Sequence, residues 1–312
     1  MKQEGIVVVG SANMDLVATT KTFPRPGETI FGKQFGMYAG GKGANQAVCC
    51  AKLGGRVDFI GKLGNDVFRD QLSSNMRDAG VNLQHLMSDP AASTGIALIL
   101  VEESGENEIV VVSGSNMKLT PVDIERKRDV LAHSRVLLLQ LEIPLECVVR
   151  SAEIAHSHGV TVILNPAPAA QLPDRLLSLV DYLTPNETEL EIISGVPTSN
   201  RDGIGKAAAA LLQMGVKNLI VTLGDQGCVW FQQNGFEAFP ARPVKPVDTT
   251  AAGDAFNGAF AYSMSNSQSV PEAIGFANQV AAFSVTRMGA QSSMPTMEEL
   301  QAFLQCVRES EF

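Results

Sequence analysis

The chain has 312 residues, of which 45% are hydrophobic and 18% charged, and a formal net charge of −9. That hydrophobic content excludes a disordered chain, and the acidic balance argues against a nucleic-acid partner, since phosphate backbones are bound by clustered Lys and Arg. The length suits about two domains or one large α/β domain with an insertion, and a small anionic ligand stays open because backbone dipoles act locally whatever the net charge.

The first element is "GIVVVG", a β-branched run too short for a signal peptide. No later stretch reaches membrane-spanning length, so the chain reads as cytoplasmic. The turn after this strand, "SANMD", offers Asn13 and Asp15, side chains that can bond neighbouring sugar hydroxyls. The same Asn-x-Asp pattern also makes ordinary turns and helix caps. The segment from 16 to about 38 carries Thr, Phe and two prolines without helical period, and 94 to 114 reads as a hairpin turning at "EESGEN". Together they predict a small extra sheet, either a lid or association surface beside the strand ends or an extension of the main sheet.

"GMYAGGKGANQA" nearly spells a nucleotide-binding P-loop, with Gly36, Gly41 and Lys42 at G-x-x-x-x-G-K spacing. It fails at Gly43, where magnesium ligation needs Ser or Thr, and no buried strand precedes it. Its glycines still let backbone approach a ligand while Lys42 and Asn45 reach it, which suits a polyol as well as a phosphate. A helix follows Asn45, with Ala44, Ala47, Val48 and Ala51 on one face and Gly54 and Gly55 ending it.

"VDFIG", "VLLLQL", "VTVILN" and "NLIVTLG" are further strands separated by segments of helical period, the alternation of a mostly parallel sheet covered by helices. The five cysteines include adjacent Cys49 and Cys50 but no C-x-x-C pair, so core packing suits them better than a disulfide framework or zinc site. His156 and His158 are two apart on a helix and point to different faces, which speaks against shared metal ligation. In open α/β sheets, ligands bind beyond the carboxyl ends of the strands. There "LTPNETEL" puts Asn186 and Glu189 on a first helical turn, and "VTLGDQG" puts Gly224 and Gly227 after a strand. Glu189 is either a carboxylate favoured by the helix dipole or a holder of hydrated magnesium at a phosphate site.

In "DTTAAGDAFNGAF" the small residues Ala251, Ala252 and Gly253 leave N–H groups bare at a helix start, an anion hole reinforced by the helix dipole. Asp254 adjoins it, well placed to accept the proton of an attacking hydroxyl during phosphoryl transfer, though a helix cap is the simpler reading of the motif alone. The last third reads as largely helical from Gly253 onward.

Taken in order, Asn13 and Asp15, "GGKGAN", "NPAPA" at 165 to 169, "NETE", "TLG" and "DTTAAGD" resemble the ribokinase family of carbohydrate kinases over essentially the whole chain. Many relatives carry Gly where this chain has Ala251. The resemblance implies a single domain over 1–312, a doubly wound sheet flanked by helices with a small β lid, and a homodimer in which the lids of two subunits clasp. It implies ATP-dependent phosphorylation of D-ribose at the 5-hydroxyl, with deoxyribose, another sugar or a nucleoside as the alternative substrate. Asp254 would be the base, with Asn13, Asp15, Gly41, Lys42, Asn45 and Glu142 on the sugar. Asn186, Thr222, Gly224, Gly227, Gly253 and Asn278 would contact ATP, and magnesium would bridge its phosphates. A potassium site would combine Asp248 with backbone oxygens of Thr250, Ser284, Arg287 and Gly289 and with Ser293; carbonyl-rich, singly charged coordination suits a large, weakly hydrated ion. A non-catalytic sugar-binding or regulatory protein is disfavoured by intact Asp254, and a nicotinamide-dependent dehydrogenase by the lack of G-x-G-x-x-G after the first strand.

Overall fold

The structure, a computed structural model, describes residues 4–310. In chain order its strands are β1 (Ile6–Val9), β2 (Asn13–Thr20), β3 (Gln34–Gly40), β4 (Val57–Gly64), β5 (Leu86–Asp89), β6 (Gly95–Glu102) and β7 (Asn107–Val112). They continue as β8 (Val136–Leu139), β9 (Thr161–Leu164), β10 (Tyr182–Leu183), β11 (Asn218–Thr222), β12 (Cys228–Gln232) and β13 (Gly235–Phe239).

Nine strands form one sheet in the order β13-β12-β11-β10-β9-β8-β1-β4-β5, parallel from β11 to β5 with β12 and β13 antiparallel at one edge. Along β1, Ile6 and Val8 face one core and Val7 and Val9 the other. A strand buried on both faces needs a continuous apolar run, which is why "IVVV" lacks alternation. The helices Lys42–Lys52, Ala252–Ser265 and Val270–Ser284 cover the first face, and Leu145–Ser157, Glu187–Ser194 and Arg201–Gln213 the second. Chain order reverses at β1, with β4 on one side and β8 on the other, so the crevice for a ligand opens where these strands end.

The extra sheet predicted around 16–38 and 94–114 is present as a separate four-stranded sheet, β3-β2-β6-β7. Its first two strands run from Asn13 to Gly40, so Asn13 and Asp15 lie on a lid strand rather than in a turn, and 21–33 is a strandless connection. The helix expected after Asn45 starts at Lys42. Its first turn lies against the turn after β1: a Cβ on Gly43 would come 2.7 Å from the Gly10 main chain. Hence the position that departs from the P-loop pattern cannot carry a side chain. Farther along, Cys49 and Cys50 pack against the 252–265 helix, their thiols donating to the carbonyls of Ala255 and Gly258, and a Cβ on Gly258 would meet Cys49 at 2.6 Å. This close crossing carries Asn45 and Gln46 to Asp254. Among the described residues no helix is long and apolar enough to cross a membrane.

Candidate active site

A cavity of about 380 Å³ opens at the reversal point. Its walls come from the lid strands, the start of the 42–52 helix, the segment after β8, the start of the 187–194 helix and the loop leading into the 252–265 helix. Of the residues expected at the sugar, Asn13, Asp15, Gly41, Lys42, Asn45, Glu142 and Asp254 all line it. So do Asn186, Glu189, Thr222, Thr250, Ala251, Ala252 and Gly253.

Asp254 is buried and caps nothing. The N-cap position of its helix is Ala251, which provides no side-chain cap; the Ala252 N–H donates to the Thr249 carbonyl at 3.2 Å, and Ala251, Ala252, Gly253 and Asp254 line the cavity with no side chain closing off the helix start. Asn45 donates to Asp254 Oδ2 at 2.8 Å and Gln46 to Oδ1 at 2.9 Å. Burial pushes the Asp254 carboxyl above its ordinary range, against the opposing pull of Lys42, Asn45 and Gln46, and Glu142 adds to the rise. A carboxylate made more basic in this way, beside an anion hole, has the character of a general base.

Around it lies a ring of charge. Glu142 accepts from Ser11 Oγ at 2.5 Å and from the Lys42 main-chain N–H at 3.0 Å. Burial, then Glu142 and Asp254, lift the Asp15 carboxyl to about 7. Burial would lower the Lys42 ammonium, but Asp254, Glu142 and Glu189 together hold it above its usual value. Asn13 is oriented by Asn116, whose amide donates to Asn13 Oδ1 at 2.7 Å, leaving the Asn13 amide nitrogen for a ligand. Asn45 Oδ1 is buried without a protein partner, an acceptor that a ligand hydroxyl can satisfy.

On the phosphate side Asn186 and Glu189 form a capping box, each accepting the other's main-chain N–H at 2.8 Å. Asn186 is therefore the cap rather than part of the first turn. Thr222 sits beside it in a parallel bridge. Glu189 is raised by burial, with the Asn186 N–H and Lys42 opposing, and its second carboxylate oxygen remains available for a hydrated ion. Among the described residues no three His, Cys, Asp or Glu side chains gather as a metal cage.

Gly224, Gly227 and Asn278 do not line the cavity. Gly227 and Asn278 share another place: Asn278 donates to the carbonyl of Phe239 at 3.3 Å, and a Cβ on Gly227 would strike that same carbonyl at 2.1 Å. Asp248, Ser284, Arg287, Gly289 and Ser293 also lie outside it. Asp248 accepts from the N–H of Thr250 at 2.9 Å and of Gly289 at 2.8 Å, which joins the two loops and depresses its pKa in spite of burial. Gln46 and Asn116, both central to the geometry, carry no motif of their own; adjacency to "GGKGAN" was the sole signal for Gln46, and Asn116 had none.

The profile of the pfkB family of carbohydrate kinases matches residues 3–297. A ribokinase of Haemophilus influenzae is 41% identical over 300 residues, covering 96% of this chain and 98% of its own. A deoxyribokinase of Salmonella typhi shows the same identity and coverage. The structure of Arabidopsis thaliana ribokinase complexed with ribose and ATP superposes with a TM-score of 0.90 at 36% identity, covering 98% of this chain and 99% of that one. By profile, sequence and fold alike, the chain belongs to the pfkB family of carbohydrate kinases.

Proposed function

We propose that this kinase transfers the γ-phosphoryl group of ATP to the 5-hydroxyl of D-ribose, with Asp254 as general base. One observation carries the reading: a single cavity holds a cluster of hydroxyl-binding side chains, Asp254 and a helix N-terminus that no side chain caps. A hydroxyl held by Asn13, Asp15 and Asn45 lies beside Asp254, which takes its proton as the oxygen attacks phosphorus. Lys42 and the N–H groups of Gly253 and Asp254 stabilise charge on the transferring group. Glu189 would hold magnesium through water, and the ion would supply charge to neutralise the ATP phosphates. Asp248 would supply the charge of a potassium site with oxygens of Thr250, Ser284, Arg287, Gly289 and Ser293. These residues fit that role, because the Asp248 hydrogen bonds already draw the 250 and 289 loops together. Asn186 and Thr222, with Gly224, Gly227 and Asn278 farther out, would contact the nucleotide.

The lid face opposite the cavity supports a homodimer. Register puts Leu98 opposite Val110 on that face and Met37 opposite Leu16, and Phe35, Met37, Leu98 and Val110 are all exposed. An apolar sheet face of this kind marks an interaction surface.

A second reading, a 2-deoxyribose kinase, draws on the deoxyribokinase relative matching as well as the ribokinase. ATP consumption measured over ribose, 2-deoxyribose, other pentoses, hexoses and nucleosides tests both. The highest kcat/KM belongs to ribose on the proposed reading; 2-deoxyribose in that place supports the second, and any other substrate contradicts both.

A further inference from the structure

Beneath Asp254 runs a buried circuit of side-chain amides that the phosphoryl-transfer scheme leaves unused. Gln46 Nε2 donates to Asp254 Oδ1 at 2.9 Å and to Asn165 Oδ1 at 3.1 Å. Asn165 donates to the carbonyl of Thr184 at 3.3 Å, the Thr184 hydroxyl to Asn257 Oδ1 at 2.6 Å, and Asn257 to the carbonyl of Gly253 at 2.8 Å. Gly253 precedes Asp254, so the circuit closes. Behind Gln46, Gln140 Nε2 donates to its Oε1 at 2.5 Å, and Gly10 makes room for Gln140, whose Oε1 a Cβ there would meet at 2.2 Å. Gln46 and Gln140 have no exposed surface.

We propose that Gln46 is the positioning residue of the reaction, clamping one oxygen of Asp254 while Asn45 clamps the other, and tying the base to the anion-hole backbone through Asn165, Thr184 and Asn257. The proposal rests on Asp254 being the base. Polarity in the circuit is forced by chemistry. An ionised carboxylate only accepts, so Gln46 turns its amide nitrogen to Asp254 and its oxygen to Gln140, which must then present its own nitrogen. With both oxygens held by donors from one helix, the carboxylate cannot swing away from the hydroxyl. Both donors also favour its ionised form, against burial and the Glu142 charge. The other groups facing Asp254 are Lys42, which favours ionisation, and Asp15, Glu189 and Cys49, whose charged forms oppose it.

The test is the pH dependence of kcat, with KM for ribose and ATP, in the full chain and in Gln46→Met, Gln46→Glu, Gln140→Met and Asp254→Asn. Melting curves and ATP titration establish that each variant is folded. Gln46→Met should move the acid limb of kcat upward by about one pH unit, a loss of about tenfold in kcat below the limb, with both KM values within about twofold. Gln46→Glu keeps the length and the Gln140 contact but sets a second carboxyl against Asp254, and should move the limb farther. Gln140→Met, which frees Gln46 without touching Asp254, should shift it the same way by less. An acid limb that stays in place in every folded Gln46 and Gln140 variant overturns the positioning role and leaves the base intact. Near-normal kcat in Asp254→Asn instead removes the reading on which the proposal rests.

Discussion

Asp15 shares its cavity with Glu142 and Asp254, and burial together with those two charges lifts its carboxyl to about 7. Hydroxyls that donate to Asp15 stabilise its ionised form, so sugar binding should release a proton near neutrality and the sugar KM should fall as pH rises from about 6 to about 8. Stability runs the other way. The folded state holds a proton that an unfolded carboxyl with a value of 3.8 has already lost. The resulting penalty is absent below about pH 4 and complete above about pH 7. Asp15→Asn should therefore raise Tm at pH 8, leave it unchanged at pH 4, and raise the sugar KM tenfold or more, an effect of roughly 1.4 kcal/mol or above. A pH-independent sugar KM in the unaltered chain would contradict this account. Ala251 is a second residue-scale case: it adopts the left-handed conformation at φ 60, where glycine is preferred, and an alanine in a run of small residues gives no sign of that backbone. Gln46 was illegible for a different reason. Its partner Asp254 lies 208 residues away in the chain, and a buried glutamine beside a motif looks like any other until the two helices cross.

At the scale of elements, runs such as "IVVV" and "VLLL" announced themselves as buried parallel strands because both faces demand apolar side chains. Turn-adjacent boundaries were harder. β2 begins at Asn13 because it pairs with Gly40 and Gly95, contacts that local composition does not encode. The loops at 248–251 and 284–293 matter to the helix that starts at Ala252, since the Asp248 carboxylate accepts from the Thr250 N–H within the first and from the Gly289 N–H of the second. With a monovalent ion joining the same loops, potassium should raise activity well above sodium at equal ionic strength. Asp248→Ala should abolish that difference with Asp254 untouched. It should also cost about 1–3 kcal/mol of stability, because two N–H groups lose their acceptor. Equal rates in potassium, sodium and a bulky organic cation would refute the cation site while leaving the structural role of Asp248 in place.

For the whole molecule, the lid and the α/β body divide the work. Ala97, Ile99, Ile109 and Val111 line the cavity with an apolar wall, and on the proposed reading closure of that wall over the sugar would exclude the water that could otherwise hydrolyse ATP. Shortening the exposed turn from Ser104 to Asn107 should spare fold and activity. Removing β6 and β7 should raise the sugar KM and shift sedimentation of the proposed dimer toward monomer; an unchanged KM and unchanged sedimentation would remove the lid from both roles. On the proposed mechanism Asp254, set in one cavity with the hydroxyl-binding cluster and the uncapped helix start, takes the proton of the attacking sugar. Its most direct measurement is single-turnover phosphoryl transfer to ribose by Asp254→Asn, with ATP affinity titrated on the same preparation. ATP affinity should be nearly unchanged and the transfer rate lower by roughly two to four orders of magnitude; transfer at close to the original rate would remove Asp254 as the base.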